Sequence, residues 1–70
     1  MMPLALAKSG DVLNIKKVTG RSEIRRHLET LGLTAGEDVR VVSRLAGNVV
    51  LIVRGTRIAL DHTAANNILV

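Results

Sequence analysis

Few side chains in this 70-residue sequence could act on a substrate or hold a metal. Two histidines, His27 and His62, stand far apart in the chain, and Ser9, Ser22 and Ser43 are its only serines. None of the serines sits in a G-x-S-x-G elbow, and neither G-x-x-x-x-G-K-[ST] nor G-x-G-x-x-G occurs to cradle a phosphate. Carboxylates are adjacent once, at Glu37-Asp38, where neighbouring side chains in a turn diverge and cannot share a proton. A metal site wants three or four converging ligands, and with no cysteine it would need both histidines and several of the six carboxylates. His27 fits the edge of an apolar helical stripe instead, and His62 the end of a strand, where Asp61 or Thr63 could satisfy its ring. The side chains point away from an enzyme, a purpose-built metal centre or a resident cofactor. A binding module is the expectation.

The elements that must position these residues follow from composition. Hydrophobic residues make up 47% of the chain with no Phe, Tyr or Trp, and 14 of them are Val or Ile, a β-branched core suited to packed strands. Glycine recurs at 10, 20, 32, 36, 47 and 55, a spacing of turns that suits several short strands. Residues 12–18 read as the first strand, with Leu4 and Leu6 packing back onto the core. Residues 22–31 are the one convincing helix, because Ile24, His27, Leu28 and Leu31 share a stripe. Ser22 is placed to cap it, Gly32 to end it, and Leu28 and Leu31 to bury it. Arg25, Arg26 and Glu29 are left facing outward, with an Arg25–Glu29 pair in reach.

Residues 38–45 form the next strand, with a bulge where Val42 breaks the alternation. Gly47-Asn48 turns into 49–54, Gly55-Thr56 turns into 57–61, residues 62–66 wind one helical turn, and 67–70 closes the sheet. About five short strands with one helix inserted after the first describe a mainly β, single-domain SH3-like barrel over residues 1–70. The outward side of Val49–Val53 would need cover from the helix or from a second copy of the chain, which leaves self-association open.

Formal net charge is +4. Residues 1–26 hold six Lys and Arg against two carboxylates, whereas residues 27–70 balance. Lys16, Lys17, Arg25 and Arg26, with Glu29, are therefore the candidate contact surface for an acidic partner, solubility being the plainer explanation. Nucleic acid is a second class of partner, but without an aromatic residue the chain has no stacking platform and this reading is disfavoured. Apolar runs are far too short to span a bilayer. A soluble chain in a reducing cytoplasm is the expectation.

The order of these segments resembles the ferrous iron transport protein A family, FeoA. Leu4, Leu6, Gly10 and the first strand lead into RRHLETLGLTAGEDVRVV. Its most specific stretch is Leu28-x-x-Leu31-Gly32-Leu33-x-x-Gly36-x-x-Val39, continued by Val53-x-Gly55-x-x-Ile58-Ala59-Leu60 and Ile68-x-Val70. Family members usually carry a longer, proline-containing loop where this chain has Leu45–Val49. The resemblance implies a small cytoplasmic accessory protein of ferrous iron uptake. Its implied partner is FeoB, a membrane permease whose cytoplasmic portion carries a GTP-binding domain. A regulatory domain that contacts metal-dependent repressors, or itself, is a third reading.

Overall fold

The computed structural model describes residues 1–70, and its hairpin strands begin directly after turn glycines, Asn48 after Gly47 and Thr56 after Gly55. Strands β1 (Val12–Asn14), β3 (Asp38–Leu45), β4 (Asn48–Val53) and β5 (Thr56–Leu60) form an antiparallel sheet in the order β1-β3-β4-β5. Strands β2 (Lys17–Val18) and β6 (Ile68–Leu69) pair as a separate ribbon. Helix α1 (Ser22–Thr30) is inserted between β2 and β3, and the short α2 (His62–Asn66) precedes β6. The expected SH3-like barrel is present.

The expected strand 12–18 is two strands in two sheets. Ile15, fully buried, marks the break. Its amide donates to the Glu37 carbonyl and its carbonyl accepts from Gly36, while the next amide, Lys16, donates to the Leu69 carbonyl. One segment thereby serves both layers, which is how a strand turns a barrel corner. The 67–70 segment closes the β2 ribbon, and its Val70 exchanges two backbone hydrogen bonds with Met2. Near the N-terminus a 3-10 turn (Leu4–Leu6) buries Leu4 and Ala5 but leaves Leu6 62% exposed, contrary to expectation. A 3-10 turn points successive side chains in different directions, so Leu4 and Leu6 cannot share a face.

Fourteen apolar residues and no polar one make up the buried core. The expected bulge is real: pairing shifts between Val41 and Ser43, leaving Val42 without a partner. In β4 the alternation is clean, with Val49, Leu51 and Val53 buried and Val50 and Ile52 half-buried on the other side. Helix α1 does not cover that outer side. It seats Leu28 in the same core as Leu51.

Both hairpin turns lie one residue earlier than expected. Leu45 pairs with Asn48 and Val53 with Thr56, so the central residues are Ala46-Gly47 and Arg54-Gly55, all four at positive φ (52°, 84°, 52° and 75°). Such two-residue turns match the strand twist and want a glycine second. At Gly55 an added Cβ meets nothing, whereas at Gly47 it would lie 2.9 Å from Nδ1 of His62. Gly55→Ala is expected to cost about 1–2 kcal/mol from backbone strain alone, and Gly47→Ala measurably more. Urea melts check this, and adding His62→Ala should bring the two costs together. Persistence of the gap without the imidazole would mean that the difference lies in the backbone.

Candidate functional site

Helix α1 forms for the reasons its sequence suggests, but its caps differ in detail. Arg21 is the N-cap residue and makes no side-chain cap bond, so Ser22 starts the helix rather than capping it. At the other end the Leu33 amide reaches back to the Leu28 carbonyl and the Gly32 amide to the Glu29 carbonyl, with Gly32 at φ +88°. This paired bonding satisfies the last helical carbonyls and brings Leu33 back toward Leu28. Both leucines are fully buried. Leu31, expected to be a second buried anchor, is only half-buried, because the chain turns away at Gly32 and Leu33 takes the interior place.

The five candidate contact residues are all exposed, on two elements. Lys16 lies at the corner between β1 and β2, where its Nζ donates to Oδ1 of Asn14 at 3.3 Å, and Lys17 lies on β2. Arg25, Arg26 and Glu29 lie on α1. The Arg25–Glu29 pair does not form. Arg25 instead donates from Nη1 to the Gly20 carbonyl at 2.9 Å, tying the helix start to the preceding turn. The chain's one salt bridge is elsewhere, between Arg54 and Glu37 at 2.6 Å. Arg26 and Glu29 are left without an ion-pair partner.

The motif glycines have structural work. Gly32 ends α1, Gly36 (φ +93°) receives the Ile15 strand and Gly55 completes a hairpin. Neither histidine sits in a cluster of potential ligands: no group of three or more His, Cys, Asp or Glu side chains converges anywhere. The His62 ring is satisfied by Asn66 one helical turn on, with Nε2 3.1 Å from the amide nitrogen, rather than by Asp61 or Thr63. Asp61 is committed as the α2 cap, accepting from the Ala64 amide at 2.8 Å.

One feature escaped the sequence. Between α1 and the start of α2 lies an open groove of about 320 Å³, floored by Ile24, Leu28 and Ala64 and rimmed by Glu23, His27, Asp61 and Thr63. His27, placed on the apolar stripe by its spacing, is exposed at this rim. Its partners in the groove come from more than thirty residues downstream, and only Ile24 with His27 at i, i+3 hinted at it.

Sequence and fold comparisons converge on one family. A profile of the FeoA domain matches residues 2–70. A Methanocaldococcus jannaschii protein, provisionally described as Fe(2+) transport protein A, is 30% identical over all of this chain and 85% of its own length. A crystal structure described as iron uptake regulatory protein (FeoA) superposes with a TM-score of 0.89 at 25% identity, covering 96% of this chain and 91% of that one. The zinc-complexed FeoA of Stenotrophomonas maltophilia, described as a procaryotic SH3 domain protein, gives 0.84 at 27% identity, covering 99% and 88%. A manganese-dependent transcriptional repressor shares the fold alone (TM-score 0.87, 20% identity), and the match takes up 38% of its chain. The agreement runs the length of this sequence in residues and in architecture, and on both counts the chain belongs to the FeoA domain family.

Proposed function

We propose that this chain is a cytoplasmic accessory protein of ferrous iron uptake that works by protein–protein contact. Its partner is the cytoplasmic portion of a FeoB-type permease, including the GTP-binding domain. Membership of the FeoA family and the iron-transport and iron-uptake descriptions of its relatives support the transport context. The observation that carries the contact reading is the outer face of α1. The helix is fastened from inside by Leu28 and at its end by the Gly32 turn, yet Arg26 and Glu29 have no ion-pair partner within the chain. A fixed helix offering unpaired charges beside an apolar groove suits recognition of another protein. Lys16 at the β1–β2 corner and Lys17 on β2 add exposed positive charge, which would speed encounter with an acidic surface more than it would add affinity.

A titration of dye-labelled chain against the permease's cytoplasmic portion tests this, at physiological salt, with an unrelated oligonucleotide as parallel ligand. Saturable binding to the permease portion is expected, weakened at least about tenfold by Arg25→Glu with Arg26→Glu, with thermal melts showing the variant folded. Arg26→Glu alone guards against the loss of the Arg25–Gly20 bond. Binding to oligonucleotide alone, steepening as salt falls, would overturn the reading.

A further inference from the structure

The outer face of the main sheet carries charge that neither fold nor family has used. One row of paired residues, Val12–Arg40–Ile52–Arg57, crosses all four strands. Paired residues share a face, so this row lies opposite the inner row in which Val39 and Val53 are buried. Val12 is 67% exposed, Arg40 and Arg57 are exposed, and Ile52 is half-buried between them. The neighbouring row, Ser43–Val50–Ala59, extends the aliphatic surface toward the bulge.

Neither Arg40 nor Arg57 has a partner in the chain: the one salt bridge belongs to Arg54, and the side-chain hydrogen bonds made by arginine come from Arg25 and Arg54. The carboxylate on this face, Asp38, belongs to the next row, where it accepts from Nδ2 of Asn14 at 2.9 Å. The two guanidinium groups thus rise from strands two spacings apart, roughly 10 Å, on either side of an isoleucine. Guanidinium forks bind carboxylates in two-point fashion, and their stems add apolar contact beside Ile52.

We infer that this face docks an acidic segment of a partner protein, an aliphatic side chain of that segment resting on Ile52 and Val50 and its carboxylates pairing with Arg40 and Arg57. Charge selects the occupant. A second copy of the chain stacked here would bring arginines against arginines, and the sheet centre is aliphatic where nucleic acid would want aromatic platforms. The face is distinct from that of α1, whose Leu28 enters the core from the inner side, and the inference does not depend on the permease reading.

The test is amide shift mapping of the isotope-labelled full chain with a capped peptide of Glu-Glu-Ile repeats, the same peptide with Gln for Glu, and oligothymidylate. Shifts centred on Val12, Arg40, Ile52 and Arg57 are expected. Affinity should fall about tenfold or more in Arg40→Glu with Arg57→Glu, and far less in Arg25→Glu with Arg26→Glu, which changes net charge equally. The Gln peptide should bind at least about tenfold more weakly. Equal loss in the two charge-reversed variants, shifts centred on another face, or the same shifts with oligothymidylate would overturn the inference. So would a concentration-dependent dimer in sedimentation that Ile52→Ser abolishes.

Discussion

Leu51→Ala should remove about 2–5 kcal/mol of stability, while Ile52→Ala, one residue along the same strand, should remove about 1 kcal/mol. Leu51 is fully buried in the middle of β4 and pairs with buried Val41 on one side and half-buried Ile58 on the other. Truncation there leaves a cavity walled by two β-branched neighbours whose χ1 stiffness keeps them from collapsing into it. Ile52 faces the other way, between Arg40 and Arg57, and water can take the place of its side chain. A chain of this length has roughly 4–10 kcal/mol in total. The first substitution therefore brings the midpoint of thermal unfolding down by at least roughly 8 °C. Urea and thermal melts of the two variants decide it. Equal losses would mean that both faces of β4 are covered in solution, which a second copy of the chain would do, and the open outer face would have to be given up.

Much of this architecture was legible because glycine and the β-branched residues announce it. The helix, the bulge at Val42, both hairpins and the single turn at 62–66 follow from local chemistry alone. What local chemistry could not carry was the division of 12–18 between two sheets. Val12, Leu13, Asn14, Ile15, Lys16, Lys17 and Val18 are all compatible with one extended strand, and the break is set by which carbonyls lie opposite, Glu37 for one amide and Leu69 for the next. Those acceptors are distant in the chain. The hairpin turns were displaced by one residue for a different reason. Asn48 and Thr56 are turn residues by type, but the backbone needs two successive positive φ values, and glycine in the second position puts Ala46 and Arg54 in the first.

Chain order hides the spatial distribution of charge by the same route. Summed along the chain, residues 27–70 are neutral and the net positive charge falls in residues 1–26. In space the four carboxylates of that balance scatter: Glu29 to α1, Glu37 to the Arg54 salt bridge, Asp61 to the α2 cap, and Asp38 to the next row of the outer face, where it accepts from Asn14. Arg40 and Arg57 are thereby left uncompensated on one row of the outer face. A neutral half can still present a cationic surface. The groove between α1 and α2 was hidden similarly, since Ile24 and Ala64 meet only once the barrel has closed.

Leu28→Ala tests how far α1 depends on a single anchor, and the expected cost is again about 2–5 kcal/mol. Leu28 is fully buried, and its carbonyl receives the Leu33 amide in the turn that ends the helix. Truncation weakens the packing of Leu33 as well, so the pair should be non-additive in a double-mutant cycle. Leu31→Ala should cost clearly less, being half-buried on the helix flank. The helix makes few other attachments: Ile24 packs from the side and Arg25 bonds to Gly20. Nine residues of helix have little stability of their own in water. Hydrogen exchange should therefore show α1 amides losing protection before those of β3 and β4. Contact with a permease would then weaken in Leu28→Ala because the helix is disordered, whereas Arg26→Glu would weaken it with protection unchanged. Retention of full α1 protection in Leu28→Ala would show that the helix is held by its ends, and the rigid outward face on which the contact reading rests would owe nothing to Leu28.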